Sequence, residues 1–232
     1  PTYRPTVDVN QPINETTALR FNGLYHDQDV ADRDKVEAKR KGIAADLGVG
    51  LGTPTTWHMN YAYLNGEKTP DMGQPMIRGR DGIVRPAPEF GLDRSTSYVR
   101  NLDRDDTDNH IVTSTLAHEV SKTLSFYNDS RYSHYDRDFV STAPSALTAA
   151  ANTAFLNGGN PVIGYGAGGG MAFKQKGWGV QNVAGVKAEG KFLGLYHKVN
   201  GGLDLSYQKD ERRGGTWVNR TNTQPIRNPS HN

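Results

Sequence analysis

Between Gln74 and Arg100 five arginines, Arg78, Arg80, Arg85, Arg94 and Arg100, stand against three acids, Asp81, Glu89 and Asp93, with the rings of Phe90 and Tyr98 interleaved. A guanidinium presents a planar fork of donors to oxyanions and also stacks on aromatic faces. This mixture therefore suits a flat-faced anionic ligand. The competing reading pairs the same arginines with the neighbouring acids. The candidate ligand-contact residues are Arg78, Arg80, Arg85, Arg94, Tyr98 and Arg100.

Side chains in a segment this rich in Gly and Pro need a scaffold elsewhere. Pro70, Pro75, Pro86 and Pro88 exclude a regular helix from Glu67 to Asp108. The scaffold is legible from Arg40 to Lys68. Ile43, Ala45, Leu47, Val49 and Leu51 alternate with Ala44, Asp46, Gly48 and Gly50. After the turn Gly52-Thr53-Pro54-Thr55, Trp57, Met59, Tyr61 and Tyr63 alternate with His58, Asn60 and Ala62. A period of two with unlike faces predicts an antiparallel hairpin.

The same alternation recurs along the chain. Tyr3–Asn10 and Leu19–His26 flank a turn at residues 11–16, and Asn109–Val120 and Leu124–Tyr132 flank a turn at Ser121-Lys122. Val180–Glu189 and Val199–Gln208 flank a turn at residues 194–197. That makes about eight strands, most of ten residues or more, against an ordinary length of about 5 to 6. Tilted strands of about 9 to 11 residues are what a bilayer requires. Connections are short after the odd strands and long after the even ones, with the longest over about 67–108 and 136–175. Short turns at one end and long loops at the other are the asymmetry of an outer-membrane barrel, in which apolar side chains face lipid and polar ones the lumen.

Composition agrees with a thin wall better than with a thick core. Of 232 residues 35% are hydrophobic, with 26 Gly and 12 Pro, and the mean hydropathy is −0.70. A formal charge of +2 with both signs scattered gives no field for nucleic acid, and the absence of cysteine excludes disulfides and thiolate metal sites. No apolar run approaches the roughly 18 residues of a membrane helix, and a barrel needs none.

Several segments carry a family resemblance. Asp8-Val9-Asn10-Gln11-Pro12-Ile13, Ala18-Leu19-Arg20, Arg40-Lys41-Gly42-Ile43-Ala44 and Gly50-Leu51-Gly52-Thr53-Pro54-Thr55 resemble early barrel strands of TonB-dependent siderophore receptors of the catecholate type. Pro70-Asp71-Met72-Gly73, Arg131-Tyr132-Ser133 through Asp136-Arg137-Asp138-Phe139, and Asp210-Glu211-Arg212-Arg213-Gly214-Gly215 resemble later landmarks of those barrels, in the same order. The resemblance implies an all-β, antiparallel up-and-down meander forming part of a 22-stranded transmembrane barrel with a plugged lumen. It implies uptake of a ferric siderophore, driven by TonB through a plug domain, in the bacterial outer membrane. The ligand would be a transported ferric chelate rather than a cofactor, and lipid and lipopolysaccharide would be further partners. No plug domain or TonB box is legible, and the chain ends at Ser230-His231-Asn232 rather than on a closing aromatic. Residues 1–232 are therefore read as an internal piece of such a barrel.

The remaining motifs read as structure. Gly166-Ala167-Gly168-Gly169-Gly170 suggests a phosphate cradle, but no Gly-Lys-Ser/Thr follows, so it reads as a flexible loop. Asp103, Asp105, Asp106 and Asp108 lack the glycine and glutamate of a calcium loop and read as a solvated acidic strand entry, with weak divalent binding to lipopolysaccharide as the lesser alternative. His118-Glu119 and His134 lack metal-ligand spacing and read as polar lumen or rim residues. No nucleophile, base and orienting group fall together, so the chain is read as non-enzymatic, with neither catalytic nor metal residues.

Two further architectures remain open on the sequence. A complete eight-stranded barrel with a structural or adhesive role would pair Tyr3–Asn10 with Val199–Gln208. A soluble β-domain binding glycan or another ligand would bury Leu47, Val49 and Tyr61 between two sheets.

Overall fold

A computed structural model describes residues 1–165, 171–215 and 223–231. In chain order the strands are β1 (Thr2–Tyr3), β2 (Thr6–Asn14), β3 (Thr17–Asp29), β4 (Glu37–Val49), β5 (Thr55–Lys68), β6 (Met76–Arg78), β7 (Val84–Pro86), β8 (Arg104–Ser121), β9 (Leu124–Ser141), β10 (Val162–Gly164), β11 (Met171–Phe192), β12 (Leu195–Gly214) and β13 (Thr223–Pro225). One α-helix, α1 (Ala149–Leu156), lies between β9 and β10, and a 3₁₀ turn covers Ala87–Phe90. The main sheet is an antiparallel meander, with β1 and β2 both on β3 and then β4, β5, β8, β9, β11 and β12 in order.

The register shows why alternation is the governing pattern. One row across the sheet reads Val9, Phe21, Ala45, Tyr61, Val112, Tyr132, Val180 and Tyr207. The next reads Asn10, Arg20, Asp46, Asn60, Thr113, Arg131, Gln181 and Ser206. One position along the strands, an apolar row thus becomes wholly polar, because successive side chains leave opposite faces. The apolar face is uncovered: Ile43 is 47% and Leu203 59% exposed.

Neither remaining architecture is formed. β2 pairs with β3 and β12 with β11, and among the described residues no ladder joins the two ends of the meander. Val49 and Tyr61 are exposed rather than sandwiched. Fold class and orientation therefore follow the alternation.

Strand lengths exceed the reading from sequence. β8 begins at Arg104 and β9 runs to Ser141, so the first long connection occupies 69–103 and the second begins at 142. An 18-residue strand such as β9 spans about 60 Å at roughly 3.3 Å per residue, well beyond the ~30 Å of a bilayer core. On the apolar face the excess length carries a row of Tyr25, Lys41, Asn65, Asp108, Asp136, Lys176 and Glu211. That charged row marks where the lipid-facing band ends on the long-loop side.

The long connections share a core of their own. Ile77, Ala87, Leu92, Tyr98, Phe155, Ile163, Tyr165 and Ile226 form one buried cluster. β6 pairs with β7, and β10 with β13. The α1 helix lies within the stretch 136–175, where no element was expected. Thr148 caps it by accepting from the Ala151 amide at 3.2 Å, and the Ala-rich run behind the cap favours helix.

Candidate ligand-binding site

The β6–β7 hairpin turns at Gly79–Ile83. Asp81 Oδ1 accepts the Ile83 amide at 3.0 Å and Gly82 takes φ +79°. This turn puts Arg78, Arg80 and Arg85 on one small unit. Arg85 donates to Asp81 at 2.5 Å, lies 3.9 Å from Glu89, and stands 5.9 Å from the Phe90 ring centroid. The Arg85 hydrogen bond, helped by the Ile83 amide, holds the Asp81 carboxyl below its ordinary range.

Arg80 donates to Asn157 Oδ1 at 2.9 Å, while Asn152 bonds the Arg78 amide and carbonyl at 2.9 Å each. The hairpin and α1 therefore enclose a cleft of about 620 Å³ lined by Arg78, Arg80, Leu147, Asn152, Leu156 and Asn157. A second hollow of about 430 Å³ beside it is lined by Arg80, Asp81, Arg85 and Phe90.

The other sequence candidates lie elsewhere. Arg94 is exposed, and its carbonyl accepts from Arg33 and Gln74 at 3.2 and 3.1 Å. Tyr98 is 1% exposed and donates to the Ile226 carbonyl at 2.7 Å. Burial raises its phenol pKa. Arg100 is buried, with its guanidinium 4.3 Å from the Tyr165 ring centroid. Tyr98 and Arg100 thus belong to the loop core rather than to the cleft.

The acidic strand entry is not solvated throughout. Asp103 and Asp105 are buried. Asp103 accepts from the Arg100 amide at 2.9 Å and Thr142 at 2.8 Å. Asp105 accepts from Arg137 at 2.6 and 2.9 Å and lies 3.0 Å from Lys68. Asp108 accepts from Tyr63 at 2.7 Å. These carboxylates are committed to protein partners. His118 bonds Thr55 at 2.7 Å, and His134 bonds Asp136 at 2.6 Å. Among the described residues no cluster of metal-ligating side chains forms. The Gly166–Gly170 run lies outside the described residues.

A second group of functional interest lies on the polar face of the sheet near the long-loop end, and sequence reasoning did not find it. Phe139 and Phe173 pair across β9 and β11 with ring centroids 4.9 Å apart. The Arg137 guanidinium stands 4.8 Å from the Phe139 centroid, and that of Arg212 only 3.5 Å from the Phe173 centroid. The same-parity spacing of Arg131, Ser133, Tyr135, Arg137 and Phe139 was the available signal, had β9 been carried past Tyr132.

No family model matches the chain. Over 147 residues it is 33% identical to the catecholate siderophore receptor Fiu of Escherichia coli K12, covering 60% of this chain and 19% of that protein. Over 151 residues it is 35% identical to the probable TonB-dependent receptor BfrD of Bordetella pertussis, covering 64% and 20%. The chain is related to the TonB-dependent siderophore receptors. It spans about a fifth of the length of these curated relatives. The crystal structure of the siderophore receptor PiuA of Acinetobacter baumannii superposes on 99% of the chain and 34% of its own, with a TM-score of 0.79 at 20% identity. The open form of Fiu covers 99% and 35%, with a TM-score of 0.76 at 21% identity. At such identities the superpositions speak to the fold: the meander is the fold of one sector of a receptor barrel.

Proposed function

We propose that this chain forms a sector of wall and outer loops in a bacterial outer-membrane receptor that takes up a ferric siderophore, of the catecholate type, energised by TonB. The observation that carries the reading is the face-by-face split of the sheet. An apolar row faces outward and a polar row inward across every strand, in a chain related to receptors of that class. In a closed barrel of about 22 strands the polar face would line a plugged lumen, and the charged outer row would meet lipopolysaccharide.

Closure also answers an energetic requirement, since the free edges of β2 and β12 would leave backbone groups unsatisfied in lipid at several kcal/mol each. TonB would act through the plug. Arg78, Arg80 and Arg85 in the hairpin cleft are the ligand contacts, with Arg94 on the exposed rim. Tyr98 and Arg100 hold the loop that presents them.

The test is uptake of radiolabelled iron, supplied as a ferric tris-catecholate, by iron-starved cells expressing the complete polypeptide. Uptake should saturate and stop when the proton-motive force is collapsed. The pair R78A/R80A should raise the half-saturating concentration by about tenfold or more, the scale of a lost charge-assisted contact. No uptake above cells lacking the protein would overturn the reading.

A further inference from the structure

The outward face is apolar through most of the bilayer band, with one exception. From β4 to β12 one outward row reads Leu47, Met59, Ser114, Ser130, Asn182 and Leu205, and the next toward the short turns reads Val49, Trp57, Leu116, Asn128, Ala184 and Leu203. Large apolar side chains at both ends of these rows give way, on β8, β9 and β11, to Ser114, Asn128, Ser130 and Asn182. The patch lies deep in the band. Ser130 stands midway between Asp136 of the charged outer row and Leu124 at the start of β9, about 20 Å of strand from each. β8, β9 and β11 are each paired on both sides, so the patch belongs to the wall and not to an edge.

Most of these side chains bond one another. Asn128 Nδ2 donates to Asn182 Oδ1 at 3.2 Å, and Asn182 Nδ2 donates to Asn128 Oδ1 at 3.1 Å and to Ser130 Oγ at 2.7 Å. Ser130 Oγ donates in turn to Asn128 Oδ1 at 3.2 Å, and Ser114 Oγ accepts the Trp57 indole N–H at 2.9 Å. Apart from serine lone pairs, this leaves over, among the described residues, one N–H of Asn128, one lone pair of Asn182 Oδ1 and the hydroxyl proton of Ser114. Acyl chains offer these groups nothing, and a polar group in that band is costly without a partner. A hollow of about 510 Å³ opens over the network, lined by Val112, Ser114, Ser130, Tyr132, Asn182 and Tyr207, and lets a facing wall come close to it.

We infer that the patch around Asn128 and Asn182 is the contact through which two copies of this chain's barrel associate side by side in the membrane. The unused donor of Asn128 and the unused acceptor of Asn182 sit on amides already bonded at 3.2 Å. A two-fold axis passing beside them gives each copy's Asn128 the other copy's Asn182, which is the reciprocity of an isologous interface. Another barrel would have to bring a matching polar patch at the same depth, whereas a second copy brings it by symmetry. Small and polar side chains serve the same end where membrane helices pack. The inference needs only the outward orientation of this face and stands apart from the ligand.

The experiment is photocross-linking in outer membranes carrying the complete polypeptide, otherwise free of cysteine. A184C, beside Asn128 in the outward row, is labelled with a maleimide-benzophenone, and L19C, on β3 of the same face, is the control. After illumination A184C should give a product of twice the monomer's mass on a denaturing gel, and L19C should not. N128L/N182L in the A184C background should reduce that product about tenfold, the scale of two hydrogen bonds formed within a membrane. Leucine suits a lipid-facing site, so this variant should keep the heat-modifiable mobility of a folded barrel.

Absence of the double-mass product from A184C would overturn the contact and leave the patch to lipid. A product undiminished by N128L/N182L, or equalled by L19C, would do the same, since it would report crowding alone. An adduct of any other mass would assign the patch to a different protein and overturn the second copy. Should N128L/N182L lose the mobility of a folded barrel, the network serves the barrel's own folding and the inference falls.

Discussion

Phe155 is the residue on which the two long connections most depend. It is 1% exposed in the shared loop core and carries the Arg227 guanidinium 4.5 Å from its ring centroid. Truncation to alanine in a buried site costs about 3–5 kcal/mol, and the lost cation–π contact adds about 0.5–1 kcal/mol. At 1.4 kcal/mol per factor of ten, the opening equilibrium of the unit shifts by roughly three hundredfold to twenty-thousandfold. Because the core draws side chains from 69–103, 142–165 and 223–231, the loss should not stay in α1. Hydrogen exchange on the complete polypeptide reads this directly. The Ile226 amide, bonded to the Pro161 carbonyl at 2.9 Å, and the Asn101 amide, bonded to the His231 carbonyl at 2.8 Å, report on the joints between segments. Both should lose protection in F155A together with the Ala87 amide on the Pro75 carbonyl, while amides in the β4–β5 ladder keep theirs. Loss confined to 149–159 would refute the idea that the loops form one unit.

Two smaller predictions follow from individual contacts. Asp103 is pushed up by burial more than the Arg100 amide and Thr142 bring it down. Its folded value therefore lies above the ordinary 3.8. Protection of the Arg100 amide, corrected for intrinsic exchange, should be highest below that value and fall as pH rises through the folded one, whereas D103N should be flat; protection rising with pH would refute the assignment. On the polar face near the short turns, a Cβ at Gly185 would run into the Tyr127 ring, whose hydroxyl donates to Asn200 at 3.4 Å. G185A should cost about 1–3 kcal/mol in urea unfolding, and Y127A should relieve most of that cost in the double variant; additive losses would show that the ring moves aside freely.

The parts of this fold that could be read in advance are those that lie in the bilayer band. From Ile43 to Val49 and Trp57 to Tyr63 one face meets lipid and the other water, so the period of two is written in hydrophobicity. Beyond the band both faces are wet. Asp136 points outward, Arg137 inward and Asp138 outward, and no hydropathy contrast is left to betray the strand. The same holds for Asp105–Asp108 and Lys174–Gly177, which is why the strand ends were not found from sequence. That Tyr98 and Arg100 sit in the loop core is hidden from the sequence for a different reason. A tyrosine in a Gly/Pro-rich loop looks free until its partner is known, and the Ile226 carbonyl lies 128 residues away in sequence. Arg78, Arg80 and Arg85 fall together because they are local to one hairpin.

At the long-loop end of the sheet, which charges face in and which face out comes down to register. Lys41 and Arg40, Asp108 and Thr107, Asp136 and Arg137, Lys176 and Gln175, and Glu211 and Arg212 are neighbours in sequence, one facing out and the other in. A slip of one residue in any strand would exchange them. In β9 or β12 an acid, Asp136 or Glu211, would then face inward, and the guanidinium of Arg137 or Arg212 would be set among the outer charges. The two irregularities in the ladder, between Pro12 and Asn14 and between Glu119 and Ser121, lie at the short-turn ends of their hairpins. There they add twist without reaching the rows next to the long loops. From Arg104 to Glu119 the β8–β9 pairing is unbroken, with the Asp105–Arg137 bonds near its loop end. That pair, with Asp105 buried and Arg137 half-buried, does two things at once: it locks β8 against β9 in the one register that keeps Arg137 inward, and it neutralises Arg137 against Asp105.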